Sequence, residues 1–190
     1  MERENASDIP EMECIEVGSF EEQISRVQRM RDMGKMHHQL AKDFEVLAAI
    51  AQRDTEPIEN TQPLIRAVIK EFFSLIESDL NLVNGFNPYP NYDERDKTVK
   101  KIKKTFRQHA TSFKKEELVA SFKSKHFGRL LEMKNKRDEF MHPKGISSIA
   151  VTIDDLKEVI HLYEIYRKYI LQMMTNVGFM IQEPLSSLFR

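Results

Sequence analysis

The chain has 190 residues, of which 41% are hydrophobic and 31% are charged, so it can form one core and is too short for two full enzyme domains. Six Gly and seven Pro leave few turn signals, which disfavours a β-sandwich or a β-barrel. The net charge of −1 hides an uneven distribution, because residues 95–144 hold 16 Lys/Arg and 6 Asp/Glu, a net of +10. We therefore expect a soluble, mostly helical protein with a basic middle segment.

The N-terminal residues are acidic, with six Asp/Glu and one Lys/Arg in residues 1–16, which is the opposite of a basic signal peptide. We predict a disordered acidic arm over residues 1–18 and one helical domain over residues 19–190. Cys14 is the only cysteine, so an intrachain disulfide is excluded and a reducing cytoplasm is expected. The longest uncharged apolar stretch, residues 169–182, is shorter than the roughly 20 residues of a membrane span, so no membrane association is predicted.

Two long helices are predicted first. An apolar stripe at helical spacing predicts a first helix over residues 20–53, with a weak point at Gly34 and the His37–His38 pair. A second helix is predicted to start at Thr61 and Pro63, because proline is tolerated in a first turn, and to be capped by Gly85. Its wide apolar face places it at the centre of the fold.

Three further helices are predicted after a proline-containing loop. Residues 93–111 have a thin apolar stripe among lysines, which indicates a solvated surface helix, and residues 114–141 form a stronger amphipathic pattern. The last helix covers residues 153–182 and is capped by Thr152 with Asp155. Its apolar positions surround it widely enough to serve the core on one face and a partner chain on another.

The segment 134–144, KNKRDEFMHPK, holds the residues best suited to carry out chemistry. Arg137 continues the buried stripe of its helix, and a guanidinium in a dry place must meet an acid, carbonyls or an anionic ligand. Asp138 is a local partner. Pro143 disfavours a helical conformation for His142, so we expect His142 at the helix end, with its ring near Arg137.

An arginine, a polar residue, three more residues and a histidine, at the junction of two long helices, resemble the motif of the HEPN superfamily of small helical bundles. The resemblance covers about residues 63–182. It implies an all-α antiparallel bundle of four or five helices, here with an additional long N-terminal helix. It also implies a metal-independent ribonuclease acting as a toxin or defence effector, with Arg137, His142 and Asp138 as catalytic residues. A homodimer with one composite cleft is implied as well.

Such chemistry suits the residue types. RNA cleavage without metal needs a base for the 2′-OH proton, an acid for the leaving 5′-oxygen and a cation for the phosphate charge. Histidine titrates near neutral pH and fills either proton role, and arginine presents a fork to phosphate oxygens. One chain supplies one such histidine, so two chains supply the pair. No cofactor and no metal is predicted.

The alternative is structural. Arg137 then pairs with a core acid such as Glu77 or Asp79, and His142 faces the last carbonyls of its helix. The chain would in that case be a non-catalytic helical interaction module or a nucleotide-binding bundle of a toxin–antitoxin or defence system, meeting an acidic partner protein through its basic face.

The basic segment predicts contacts to RNA phosphates, whereas the alternative is a solvated helix face. The cations expected to bind RNA are Lys100, Lys101, Lys103, Lys104, Arg107, Lys134, Lys136 and Lys144. Metal binding by His37 and His38 is disfavoured because adjacent helical side chains point about 100° apart. His109, His126 and His161 lack the spacing of metal ligands, and we interpret His126 as a core residue.

Overall fold

The computed structural model describes residues 19–53, 58–86, 88–113 and 115–176. Within these ranges the chain is all-helical, as predicted, and contains no β-strand. The elements are α1 Phe20–Arg53, α2 Ile58–Phe86, α3 Thr98–Phe113, α4 Glu116–Lys125, α5 Phe127–Met141, a 3₁₀ helix Ile146–Ile149 and α6 Ile153–Asn176. The predicted acidic arm and residues 177–182 of the predicted last helix lie outside the described residues. None of the described helices combines the length and the hydropathy that a membrane span requires.

The helix α1 packs antiparallel to α2. Phe44 of α1 meets Phe72 of α2 with ring centroids 5.9 Å apart, and two turns earlier on α1, His37 contacts Asp79, two turns later on α2. This pairing buries the apolar stripe of α2 in the centre of the molecule, where the sequence predicts it.

The bounds of α1 agree with the prediction, but three local expectations were wrong. The helix α1 is continuous through Gly34 and His37. The helix α2 begins at Ile58, before the predicted start, so Pro63 lies inside it, and it ends at Phe86 rather than before Gly85. Packing explains the difference, because most helical stability in a protein comes from the buried face rather than from local propensity.

A buried carboxylate joins three helices. Asp79 of α2 is 0% exposed, its Oδ1 is hydrogen-bonded to Nδ1 of His37 on α1 at 2.6 Å, and its Oδ2 accepts from the hydroxyl of Tyr166 on α6 at 3.1 Å. Burial raises the pKa of Asp79, and the hydrogen bonds from His37 and Tyr166 oppose that rise. The carboxylate therefore ties α1, α2 and α6 together.

The helix α6 covers the α1–α2 pair with aromatic side chains. Tyr163 stacks on Phe44 with ring centroids 4.2 Å apart, and Tyr166 meets Phe72 edge to face at 6.0 Å. The hydroxyl of Tyr163 donates to Glu45 of α1 at 2.6 Å. These contacts confirm the predicted core-facing side of α6.

The other apolar side of α6, which we expected to be free for a partner chain, consists of Ile160, Ile165, Tyr169 and Met174. Tyr169 is instead buried against Phe106 of α3 at 4.7 Å and Phe122 of α4 at 4.6 Å. Ile160 and Ile165 are half-buried against the core, and the side chain of Met174 lies outside the described ones. Much of this side is therefore covered within the chain.

The start of α6 is capped as predicted. The backbone N–H of Thr152 donates to Oδ2 of Asp155 at 2.7 Å, and the backbone N–H of Asp155 donates to the Thr152 hydroxyl at 3.2 Å. Burial raises the pKa of Asp155, but hydrogen bonds from Lys136 and Thr152 outweigh it and hold the pKa below its ordinary value. The cap is therefore ionised and reciprocal.

We predicted a solvated surface helix with a thin apolar stripe, but more of the inner face of α3 is buried than that prediction implies. Ile102, Thr105, Phe106 and Ala110 are buried.

The helix α3 runs parallel to α2, because the loop over 88–97 returns the chain along α2. The predicted antiparallel order therefore does not extend to this pair of helices. The contacts that show this are Thr98–Glu77 at 2.9 Å, Lys101–Asn81 at 3.1 Å and Asn84–Thr105 at 2.7 Å.

The single helix expected over residues 114–141 is two helices. His126 separates α4 from α5 with φ −127° and ψ −21°, although its N–H still donates to Phe122 O at 2.9 Å. The two helices pack in different places: Phe122 of α4 meets Phe106 of α3 at 5.5 Å, whereas Arg137 of α5 reaches Glu77 of α2. The helix is interrupted at His126, and the helices on either side have different packing partners.

We expect His37→Ala to destabilise the protein by about 3 kcal/mol, since it removes a partner from a buried carboxylate. His38→Ala is the matched control, because His38 is exposed on the neighbouring position of α1 and its loss should change the free energy of unfolding by about 0.5 kcal/mol or less. Urea unfolding monitored by circular dichroism measures both. Equal effects of the two substitutions would contradict the role of the Asp79 cluster.

We expect the stability difference between Asp79→Asn and wild type to depend on pH. Because the folded-state pKa of Asp79 is raised, the favourable contribution of this carboxyl is complete below its unfolded pKa of about 3.9 and is lost as the pH rises through the folded value. The asparagine variant does not titrate at this position, so its stability relative to wild type should increase as the pH rises above about 4. A pH-independent difference in urea unfolding would show that Asp79 is not the titrating group.

Candidate functional site

Arg137 lies on the inner side of α5, as the stripe predicts. Its side chain is 19% exposed, its guanidinium carbon lies 5.8 Å from the centre of the Phe73 ring, and Nη1 donates to Glu77 Oε1 at 3.2 Å. Nε is buried and has no hydrogen-bond partner among the described residues. Of the two core acids that the sequence offered as partners, the one that pairs with Arg137 is Glu77.

Glu77 connects three helices at this site. Its Oε1 accepts from Arg137 of α5 and from the Thr98 hydroxyl at the start of α3, the latter at 2.9 Å. Asp79, two residues later on α2, points to the opposite side and is bonded to His37. The start of α3 and the end of α5 therefore meet at one carboxylate.

Asp138 gives Arg137 a second negative neighbour. Its Oδ1 lies 3.7 Å from Nη1 of Arg137, and its Oδ2 accepts from Lys134, one turn earlier on α5. The charges of Arg137 and Lys134 are thus balanced by the carboxylates of Glu77 and Asp138. An incoming phosphate has to compete with these carboxylates for the guanidinium.

His142 lies just beyond the end of α5, as predicted. Its φ of −129° and ψ of 64° are not helical, and its backbone N–H donates to Asp138 O at 3.0 Å. The residue is exposed, and its imidazole makes no hydrogen bond or ion pair with the other residues that the structure describes. The ring is consequently available to exchange a proton with a ligand.

The cations predicted to bind RNA fall into two groups. Four are already occupied: Lys100 pairs with Asp96, Lys101 with Asn81, Lys134 with Asp138 and Lys136 with Asp155. Four others are exposed: Lys103, Lys104, Arg107 and Lys144. Of the exposed ones, Lys103 lies over the Phe127 ring and Lys104 over the Tyr89 ring, each at 5.2 Å from the centre.

Lys101 does not fit the predicted role. It is 7% exposed, and its Nζ donates to Asn81 Oδ1 at 3.1 Å. Asn81 also accepts from the hydroxyl of Tyr92 at 3.1 Å, so Lys101 helps to hold the loop over 88–97 on α2. We expected a phosphate contact here, but α3 buries this side of its first turn, so Lys101 is engaged within the chain.

Sequence reasoning missed the long-range neighbours of two histidines. His37 lies against Asp79, 42 residues away in the chain, and His126 lies near His161, 35 positions later. Neither grouping has a local sequence signal, because the partners come from different helices. Within the described residues no cluster of His, Cys, Asp and Glu has the geometry of a metal site.

The site can therefore offer one accessible imidazole, one half-buried guanidinium and a partly neutralised basic surface. Comparisons with protein-family models, with curated proteins and with solved structures find no match for this chain.

The burial of Lys101 predicts that Lys101→Glu lowers the free energy of unfolding by about 1–3 kcal/mol, because it removes the bond to Asn81 and buries a carboxylate. Arg107→Glu is the control, since it makes the same charge change at an exposed position of α3, and it should cost about 0.5 kcal/mol or less. Thermal or urea unfolding separates the two. If Arg107→Glu were as destabilising as Lys101→Glu, the cost would come from charge and not from burial.

Proposed function

We propose that the chain is a metal-independent endoribonuclease of the HEPN type that acts as a toxin or defence effector. The observation that carries the proposal is the exposed His142 imidazole, which lacks a partner among the described residues and follows the helical turn that holds Arg137. Arginine and histidine are the two residue types that this reaction uses for charge and for protons.

In the proposed reaction the 2′-oxygen of the substrate attacks the adjacent phosphorus, and the bond from phosphorus to the 5′-oxygen breaks. One imidazole removes the 2′-OH proton, and a second delivers a proton to the departing 5′-oxygen. Each chain supplies one His142, so the proposal includes a homodimer in which two motifs share one cleft. The protons balance, since one is taken from the substrate and one is given back.

Arg137 stabilises the charge that gathers on the phosphate. Its hydrogen bond to Glu77 uses Nη1, and Nη2 makes no hydrogen bond among the described residues, so Nη2 can donate to a phosphate oxygen. Asp138 is assigned the role of orienting the guanidinium. Glu77 and Asp138 already neutralise part of the Arg137 charge before the substrate binds. A phosphate that binds Arg137 therefore competes with existing carboxylate contacts and does not meet an unpaired cation.

The exposed cations Lys103, Lys104, Arg107 and Lys144 are assigned to the RNA backbone in this proposal. Lys100, Lys134 and Lys136 would contribute only by leaving their present acidic partners, and Lys101 is left out because it is buried. Contacts of this kind make affinity salt-dependent without reading the base sequence.

A second function is favoured by the Arg137–Glu77 ion pair. If this pair serves only to join α2 to α5, the chain is a non-catalytic helical interaction module, or a nucleotide-binding one, of a toxin–antitoxin or defence system. Its exposed cations would then bind an acidic partner protein. The two proposals differ in whether Arg137 and His142 are needed for a chemical reaction.

We expect the purified chain to cleave single-stranded RNA in EDTA. His142→Ala should lower the rate by about 10²–10⁴-fold through loss of the proton carrier, and Arg137→Ala by about 10²–10³-fold through loss of charge stabilisation. His38→Ala and Arg167→Ala are the controls, because His38 is exposed and Arg167 also pairs with a glutamate on another helix, Glu45 at 2.9 Å. Both controls should keep wild-type activity.

Absence of products from wild type, or equal cleavage by Arg137→Ala and His142→Ala, would reject the catalytic assignment and favour the interaction module. Unfolding curves of Arg137→Ala and Arg167→Ala show whether either variant fails to fold. Sedimentation that gives the mass of one chain, 22.4 kDa, at a concentration where RNA is cleaved would reject the shared cleft.

A further inference from the structure

A group of cationic side chains surrounds the break between α4 and α5. Lys103 of α3 places its Nζ 5.2 Å from the centre of the Phe127 ring, at the first residue of α5. Lys125 is the last residue of α4, and Arg129 lies in the first turn of α5. All three cations are exposed, so three chain segments present positive charge at one place.

The helix α6 completes this group from the other side. Arg129 pairs with Glu158 of α6, and His161 lies one turn further along α6, exposed. Burial lowers the pKa of His126, and the charges of His161, Arg129 and Lys125 lower it further. The imidazole at the break is thus in a locally positive field.

The charges at the break are not fully balanced. The exposed Lys103 and Lys125 form no ion pair with a described acid, whereas Arg129 pairs with Glu158, whose Oε1 is buried without a hydrogen-bond partner among the described residues. Nδ1 of His126 is also buried without such a partner. Glu132, Glu139 and Asp155 line the same pocket as Arg129 and Glu158, so the uncompensated positive charge at the break comes from Lys103 and Lys125. Two exposed lysines without an acidic partner give this side of the break the electrostatics of an anion site.

We propose that the α4–α5 basic cluster, made by Lys103, Lys125, His126, Arg129 and His161, binds the phosphate backbone of the RNA strand whose cleavage is proposed at His142. The inference rests on the RNA part of the proposed function. It assigns the substrate contact to residues that lie apart along the chain. Lys103, Lys125 and Arg129 belong to the basic segment that the sequence predicts to contact RNA phosphates, whereas no such contact was predicted for His126 and His161.

The position of the cluster on α5 favours RNA as its ligand. Arg129 and Arg137 are eight residues apart on one helix, which is about 12 Å along its axis and about 80° around it. A strand that runs along α5 from the exposed Arg129 therefore reaches the end of the helix, where the exposed His142 lies, whereas a dinucleotide is too short to span this distance. A backbone of evenly spaced phosphates matches such separated cations better than a single anion does.

The test measures binding by the His142→Ala chain, which prevents cleavage, to a single-stranded RNA of about twelve nucleotides in EDTA over a series of salt concentrations. Lys103→Glu with Lys125→Glu should weaken binding at least about tenfold and reduce the slope of log affinity against log salt by about 1.4, the value for two lost phosphate contacts. Lys35→Glu with Lys42→Glu makes the same charge change at exposed positions of α1 and should leave the slope unchanged.

A second variant changes affinity in the opposite direction. Glu158→Gln removes the carboxylate that competes for Arg129, so RNA affinity should rise about threefold or more. Glu164→Gln, an exposed glutamate of α6, is the control and should leave affinity unchanged. A gain in affinity cannot result from a loss of folding, so this arm remains informative if the lysine variants are unstable.

The possible results separate the inference from the proposed function. If wild type cleaves RNA but the lysine pair and Glu158→Gln leave affinity and salt slope unchanged, the cluster assignment is overturned and the ribonuclease proposal stands. If RNA is bound through the cluster but wild type does not cleave it, only the ribonuclease proposal fails. Poly-glutamate that binds more tightly than the RNA would overturn the cluster assignment in favour of an acidic protein partner.

Discussion

A carboxylate that is completely buried has to be hydrogen-bonded, and Asp79 in the middle of α2 imposes this requirement on three helices. His37 satisfies one oxygen from α1 and Tyr166 satisfies the other from α6. The neighbouring rings of Phe44 and Phe72 can shift or rotate with little loss of contact energy, whereas these two hydrogen bonds require a narrow range of distances and angles. They therefore determine how α1, α2 and α6 are aligned.

The same requirement orients the other side of α2. Glu77 precedes Asp79 by two residues, which is about 200° around a helix, so a buried Asp79 directs Glu77 away from α1 and α6. Glu77 then meets Thr98 at the start of α3 and Arg137 on α5. The candidate site thus depends on the buried carboxylate through the rotation of one helix, although no residue of the Asp79 cluster lies in it.

Charge is balanced locally in this protein and not only in total. Lys100, Lys134 and Lys136 each have an acidic partner on a nearby turn or helix, and this lowers the number of cations that can meet a polyanion. Exposed cations remain along the outer side of α3 and at the α4–α5 break. A net charge of −1 is consequently compatible with a surface that binds phosphates.

The sequence by itself determined the features that depend on neighbouring residues. Helical periodicity was enough for the all-helical fold and for the bounds of α1, the Thr152–Asp155 pair was enough for the start of α6, and Pro143 was enough to place His142 outside α5. The same periodicity put Arg137 on the buried side. Tertiary structure alone decided which acid Arg137 meets, that Lys101 is buried, that the helix breaks at His126, and that His126 lies near His161. These depend on contacts between residues 16 or more positions apart, for which periodicity and capping carry no information because both describe only the local chain.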